Sequence, residues 1–129
     1  MANATFGLPP SATLSKGRVL QRTTVSNVER CLQATNRLRA GAEKVVGVSM
    51  NTVLNASTEV SVDIATPGQW AMVELGGTVT ALHHYLTFDA VGRTIGGATV
   101  DADIIHAANF KGQAGTVGEF IEVFLIHNA

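Results

Sequence analysis

The stretch TEVSVDIAT, residues 58–66, decides the fold class of this chain. Within it, three apolar residues alternate one by one with three polar residues. The apolar residues are Val60, Val62 and Ile64, and the polar residues are Glu59, Ser61 and Asp63. In an extended chain, successive side chains point to opposite faces, so this alternation places all the apolar side chains on one face. The stretch therefore predicts a β-strand with one face in the core and the other in water.

Short segments of the same kind fill the chain after residue 17. They are RVLQRTTVS, VERCLQAT, KVVGVSMNTV, QWAMVEL, ADIIHAANF and EFIEVFLIH. The segment YLTFDAVGRTIGG predicts a hairpin that turns between Asp89 and Gly92. The segment VTALHHYL is the one helix candidate, with Thr78 as its N-cap. Many short strands between Gly, Asn, Asp and Ser turns predict an all-β domain over residues 18–129, either a compact antiparallel β-sandwich or a small β-barrel.

Residues 1–17, MANATFGLPPSATLSKG, differ from the rest because they are small, polar and interrupted by proline. They predict an extended N-terminal arm with no helix or strand of its own. Phe6, Leu8 and Leu14 are isolated apolar residues in this arm. Two interpretations remain open: a disordered tail, or a tether whose apolar side chains bind a neighbouring subunit.

The composition indicates that much of the surface is covered by another molecule. Charged residues make up 15% of the chain, against about 25% in an average globular domain. The charges are also unevenly distributed. Residues 1–40 carry six Lys or Arg and one Glu, a net of +5, whereas the remaining residues carry three basic and nine acidic groups, a net of −6. A basic first part could bind the acidic remainder between subunits, or bind an acidic partner.

The glycine-rich stretch GQAGTVGEF, residues 112–120, raises the question of a phosphate-binding loop. Such a loop works because its N–H groups converge at the start of a helix, whose dipole favours an anion. Here a strand-like segment follows, and both the Walker pattern and the dinucleotide-binding glycine spacing are absent. Gly112, Gly115 and Gly118 are therefore predicted to shape the backbone between two strands, and no cofactor site is expected.

The residue types needed for catalysis or metal binding are not suitably spaced. His83 and His84 are adjacent and cannot offer one metal two ligands as an i, i+4 pair would. Cys31 has no local histidine signature, and no G-x-S-x-G motif is present. Asp101 and Asp103 are typical of a solvated rim. We therefore expect no enzymatic activity, no catalytic residues and no metal site.

Nucleic acid and membrane are also poor partners for this chain. No aromatic residue that could stack on a base lies among the arginines of residues 1–40. No apolar run approaches the roughly 20 residues of a membrane span, and the N-terminus does not have the pattern of a signal peptide. We therefore expect no direct nucleic-acid contact, no membrane contact, and synthesis in a host cytoplasm.

Two parts of the chain follow a common plan. Residues 45–64 and 104–125 each contain an apolar strand, a linker of small residues and a second strand with V-x-V or I-x-V. Two additional residues in the second copy are needed to keep the register. The similarity indicates either an internal repeat or the general likeness of strand pairs in β-proteins.

From about Lys44 onward, the chain resembles the small capsid cement, or head decoration, proteins of tailed bacteriophages. The resemblance lies in a VVGV strand, a V-x-V strand, the passage G-G-x-V-x-A-x-x-x-L-x-x-D-x-x-G and a final I-E-V strand. In this chain the passage is Gly76, Gly77, Val79, Ala81, Tyr85-Leu86, Asp89 and Gly92, with Leu86 one residue later than the pattern places it. The match covers about two-thirds of the chain and consists mostly of turns and strand cores. Residues 1–40 lie outside it.

The resemblance implies a structural virion protein that binds the outer surface of the assembled head and stabilises it by bridging copies of the major capsid protein. It also implies self-association, often as a homotrimer. The predicted capsid or subunit interface comprises Phe6, Leu8, Leu14, Arg18 and Arg22. The alternatives are another virion component, such as a head-fibre base or a tail-tube-like β-protein, or a β-barrel that binds carbohydrate or another small molecule. A sugar-binding protein would expose Trp70 and Tyr85 together in a groove, although the alternating pattern around Trp70 favours burial in the core.

Overall fold

The computed structural model describes residues 6–38, 45–54, 61–99 and 102–126, with Phe6 described by its backbone alone. This part of the chain forms ten β-strands and no α-helix. The strands are β1 (Phe6–Leu8), β2 (Val19–Val25), β3 (Val28–Gln33), β4 (Val45–Ser49), β5 (Val62–Ala65), β6 (Trp70–Glu74), β7 (Tyr85–Phe88), β8 (Thr94–Ile95), β9 (Ala107–Ala108) and β10 (Phe120–Leu125). No helix in these residues is long and apolar enough to cross a membrane.

The strands form two antiparallel five-stranded sheets in a sandwich-like arrangement. The first sheet has the order β1-β5-β4-β2-β3 and the second the order β6-β10-β9-β7-β8. The predicted all-β class is therefore confirmed, and of the two predicted architectures the sandwich is the one found, because neither sheet closes into a barrel.

The two sheets repeat one topology, since adding five to each strand number of the first order gives the second. The loops repeat it too. In the first half, Leu14 and Val53 exchange backbone hydrogen bonds of 2.8 Å, and in the second half Val79 and Gly115 exchange bonds of 2.9 Å. Of the two explanations for the shared plan of residues 45–64 and 104–125, the structure supports an internal repeat.

A second pair of equivalent contacts curls each sheet in the same way. A parallel bridge joins Pro10 to Cys31 at one end of the first sheet, and another joins Leu75 to Thr94 in the second. In the first half the bridge brings the end of β1 close to β3, and in the second half it brings the end of β6 close to β8. Both sheets are thereby bent around apolar side chains without being closed.

Each face of the first sheet contributes to a core, as adjacent residues of β2 show. Leu20 belongs to a cluster within the first half, together with Leu14, whereas Val19 joins the larger cluster between the sheets. That larger cluster takes most of its members, including the fully buried Phe88 and Val123, from the second half. The sandwich core therefore lies between the inner face of the second sheet and one face of the first.

The prediction that the N-terminal arm, residues 1–17, carries no strand is wrong at residues 6–8. Strand β1 pairs with β5, with Leu8 opposite Val62, and Leu8 and Leu14 are only 9% and 2% exposed. The N–H of Cys31 also donates to the carbonyl of Pro9, at 3.0 Å. A strand as short as β1 cannot show alternation, so its pairing partner distant in sequence determines its structure.

The predicted helix at VTALHHYL is also wrong. Val79 pairs with Gly115, a turn follows in which the N–H of His83 donates to the carbonyl of Thr80 at 3.0 Å, and Tyr85 begins β7. A short helix has a high nucleation cost, whereas Tyr85 here gains cross-strand pairing with Ala108. Tertiary pairing therefore overrides the local signal.

The predicted hairpin at residues 85–97 is confirmed. Thr94 pairs with Phe88 in β7, and the Asp89 carboxylate accepts the N–H groups of Val91 and Arg93 at 3.0 and 2.9 Å. Gly92, with φ of 78°, supplies the left-handed residue that this turn needs.

Candidate functional site

The glycines of residues 112–118 shape the backbone between β9 and β10, as predicted. Gly112 and Gly118 have φ of 58° and 86°, the left-handed region that favours glycine. A Cβ on Gly115 would lie 2.8 Å from a methyl carbon of Leu75, so a side chain there would have to displace Leu75. The loop leads into strand β10 rather than into a helix, and the arrangement lacks the helix terminus that would hold a phosphate.

Basic residues of the first part of the chain form ion pairs with acidic residues of the second part. Arg18 Nε lies 3.2 Å from Glu74 Oε1, and Arg37 Nε lies 3.4 Å from Asp103 Oδ1. Each pair joins the basic first half to the acidic second half. Asp103 was expected on a solvated rim, yet it is buried, because Arg37 and the N–H of Thr99 both satisfy its carboxylate; Asp101 lies outside the described residues.

The five residues predicted at a capsid or subunit interface do not form one surface. The side chains of Leu8 and Leu14 lie in the chain's own core, and Arg18 is bound by Glu74, while only the backbone of Phe6 is described. Arg22 is about half exposed on the β2–β3 hairpin and pairs with Glu29 beside it. The interface role of these residues remains a prediction. Using the two leucines would require residues 6–17 to leave their sheet.

The described histidines are separated. His106 is buried, with its Nε2 3.1 Å from the Thr94 hydroxyl, and burial lowers its pKa from 6.5 to about 4. His83 accepts the N–H of Thr80 through Nδ1 at 3.1 Å, and His84 is exposed. His127 lies outside the described residues. Within residues 6–38, 45–54, 61–99 and 102–126, no three His, Cys, Asp or Glu side chains cluster as metal ligands would.

Instead, the outer face of the second sheet brings aromatic side chains together. Phe124 in β10 lies opposite Trp70 in β6 and opposite Ala108 in β9, and Ala108 lies opposite Tyr85 in β7. Residues opposite one another share a face, so the four form one row across four strands. At about 4.8 Å per strand, the row is about 14 Å long. We call this row the aromatic row.

Phe110 lies beside the aromatic row, in the loop after β9. Its ring centroid is 5.6 Å from that of Phe124 and 6.5 Å from that of Trp70, which itself lies 5.3 Å from Phe124 in an edge-on arrangement. These separations are those of attractive aromatic pairs. Lys111 places its amino group 4.8 Å from the Trp70 ring centroid and also pairs with Glu122. The three rings thus form one supported cluster at the surface.

A groove of about 350 Å³ lies beside Phe110, between this ring and Tyr85. Its lining residues are Ala81, His84, Tyr85, Asn109, Phe110 and Gly112. Tyr85 is 52% exposed and Phe110 is 68% exposed, so two ring faces are open to solvent at the groove. Such a concave site, with aromatic walls and a few polar groups, is typical of a binding surface. We refer to it as the aromatic groove.

Sequence reasoning found only part of this surface. It singled out Trp70 and Tyr85 but expected Trp70 in the core, whereas the ring lies half-buried on the outer face. Phe110 and Phe124 were missed. A signal was present in β10, where Phe120 and Phe124 occupy the outer positions between the buried Ile121, Val123 and Leu125. Aromatic residues on the polar face of an amphipathic strand indicate a binding surface.

The fold is similar to that in a crystal structure of the head fibre gp8.5 N base of bacteriophage phi29. The match has a TM-score of 0.72 at 11% sequence identity and covers 98% of this chain and 95% of that one. No protein-family model matches the sequence, and no curated protein matches it significantly. At so low an identity the similarity shows the fold alone. This chain therefore shares its fold, over nearly its whole length, with the base of a phage head fibre.

Proposed function

We propose that the protein is a structural component of a phage virion that binds the outer surface of the head. The observation that carries this proposal is the fold shared with the phi29 head-fibre base over 98% of the chain. The resemblance of residues from about 44 onward to head decoration proteins points to the same class of protein. Synthesis takes place in the host cytoplasm, and the partner is the major capsid protein.

Two forms of this function differ in what the bound protein does. A cement protein bridges neighbouring capsid subunits as a homotrimer and stabilises the expanded shell, where a modest interface per copy is enough because many copies act together. A head-fibre base binds the head and carries a fibre. The fold shared with the phi29 head-fibre base favours the fibre-base form. The resemblance to head decoration proteins favours the cement form.

The first experiment is co-sedimentation of the purified protein with expanded capsids and with unexpanded procapsids of the cognate phage. Saturable binding to either shell supports the proposal, and binding to the expanded shell alone indicates recognition of a surface created by maturation. No binding to either would contradict the proposal and favour a tail component. Light scattering gives the molecular mass of the free protein and so tests the predicted homotrimer. A monomeric mass both in free solution and on the capsid would contradict it.

A second measurement separates the two forms. Capsids lacking the protein are heated with and without saturating amounts of it, and release of the genome is followed by a DNA-binding dye. A cement protein raises the release temperature, because the interfaces it adds must be broken before the shell opens. A fibre base binds with the same stoichiometry but leaves the release temperature unchanged.

A further inference from the structure

The aromatic groove contains none of the residues predicted at the capsid interface, and its chemistry suggests a ligand of its own. We propose that the aromatic groove binds a neutral carbohydrate chain, with Tyr85 and Phe110 as the stacking platforms. This inference goes beyond the proposed function and does not depend on it.

Sugar rings have one or two faces made of C–H groups, with hydroxyl groups around the rim. An exposed aromatic ring offers the matching apolar plane, and burial of the two surfaces against each other is favourable. Tyr85 and Phe110 are exposed at the same groove. His84, also exposed there, and the Tyr85 hydroxyl can exchange hydrogen bonds with sugar hydroxyls.

The loop that carries Phe110 is held in shape before any ligand arrives. Asn109 clamps it through both side-chain atoms: Nδ2 donates to the carbonyl of Gln113 at 2.9 Å, and Oδ1 accepts the N–H of Gln113 at 3.0 Å. Gly112, with φ of 58°, allows the tight turn between them. Phe124 and Trp70 support the ring from one side. A fixed platform loses little conformational entropy on binding, which is the advantage of preorganised sites.

Charge and the exposed area of the two rings favour a sugar over a protein partner. At about 200 Å² per aromatic side chain, the exposed fractions of Tyr85 and Phe110 amount to roughly 240 Å². A stable protein interface buries about 800 Å² on each partner, so these rings alone are too small for one. Among the residues that the structure describes, the groove lining contains no Asp, Glu, Lys or Arg, and the nearby Lys111 is paired with Glu122. A neutral ligand is therefore complementary to the groove.

The test is NMR titration of the ¹⁵N-labelled full chain with chitohexaose, maltohexaose and cellohexaose, and with a heparin hexasaccharide as the charged comparison. We expect at least one neutral hexasaccharide to bind at millimolar concentrations or below and to shift the amide signals of residues 84, 85 and 109–112. Phe110→Ala and Tyr85→Ala should each weaken that binding about tenfold or more. Both side chains are largely exposed, so these variants should keep the wild-type fold. Leu54→Ala, at a more exposed site in the first half, should bind as the wild type does.

Three results would overturn the inference: no binding by any of the three neutral oligosaccharides, shifts that lie outside the groove, or binding that Phe110→Ala and Tyr85→Ala leave unchanged. Capsid co-sedimentation of Phe110→Ala is measured in parallel and should equal that of the wild type. If this variant loses capsid binding, the groove is a capsid contact, so the carbohydrate proposal fails while the proposed function stands. If the protein binds a neutral oligosaccharide but no capsid, the proposed function fails while the carbohydrate proposal stands.

Discussion

The guanidinium of Arg18 and the carboxylate of Glu74 connect the two sheets, with Nε 3.2 Å from Oε1. Their side chains are 16% and 17% exposed, so water screens this pair less than it screens a surface pair. The arginine also donates to Gln33 and to the carbonyl of Val91 through a single nitrogen, Nη1, at 2.5 and 3.0 Å. Arg18, predicted at a capsid interface, thus already has a place in the chain's own fold.

Arg18→Ala should lower the free energy of unfolding by about 1–3 kcal/mol, because it leaves a poorly solvated Glu74 carboxylate without its partner. A double-mutant cycle with Glu74→Gln should give a coupling energy that changes little with salt. The matched control is the cycle of Arg22→Ala with Glu29→Gln, whose side chains are both 46% exposed; this coupling should be below about 1 kcal/mol and fall as salt rises. Equal salt dependence in the two cycles, measured by urea unfolding, would contradict the assignment.

Leu14→Ala should destabilise the isolated protein by about 2–5 kcal/mol, the usual cost of deleting a large buried side chain. Leu14 is 2% exposed and its backbone pairs with Val53, so residues 6–17 belong to the folded unit. Leu54→Ala, at a residue 75% exposed, should change stability by no more than about 0.5 kcal/mol. If deletion of residues 1–16 left the thermal stability intact, the segment would be an independent arm after all.

The sequence was informative where a strand is long enough to show its period. β2, β5, β6 and β10 were all recognised from alternation or β-branched composition, and the turn at Asp89 from its residue types. β1 is too short for any period, so it exists only because it pairs with β5, which is distant in sequence. The same limit applies to VTALHHYL, whose local propensity is overridden by pairing with the loop and with β9.

The aromatic groove shows a different limit. Trp70 and Phe124 come together because β6 and β10 pair in one register, and a shift of one residue would turn Phe124 into the core. Phe110 joins them through the loop geometry that Asn109 and Gly112 impose. Sequence alone reveals neither a register between strands so far apart in the chain nor the direction of a loop side chain. It could have indicated only that β10 carries phenylalanine on its polar face.

Cys31 should be unreactive in the folded protein. It is fully buried, its thiol donates to the carbonyl of Leu8 with an S–O distance of 3.7 Å, and burial raises its pKa to about 11 although the nearby Arg30 opposes this. The thiolate is the reactive form, and hardly any is present at pH 8. We expect no labelling by a thiol-specific disulfide reagent in native buffer and one label per chain in guanidinium. Labelling of the native protein at the rate of the unfolded one would contradict this packing. Because Leu8 lies in β1, Leu8→Ala should accelerate labelling.

The last prediction concerns stability below neutral pH and rests on His106. Burial lowers the pKa of this histidine from 6.5 to about 4. Above pH 6.5 the ring is neutral in both the folded and the unfolded chain, so it has no effect on the pH dependence. Between pH 6.5 and 4, His106 is protonated in the unfolded chain but neutral in the folded chain. The free energy of unfolding therefore falls as pH decreases. Below pH 4 both states are protonated and this loss is complete, at about 3 kcal/mol for a shift of that size.

The measurement is urea unfolding of the wild type and of His106→Gln at intervals from pH 7 to pH 4. The variant should be less stable at pH 7, because glutamine replaces a ring that packs against Phe88 and contacts Thr94. Its stability should nevertheless fall less steeply on acidification, since it lacks the group that titrates. Carboxylates titrate in both proteins, so the difference between the two curves isolates the histidine. Parallel curves would mean that His106 has the same pKa in the folded and unfolded chains, contrary to its burial beside Phe88.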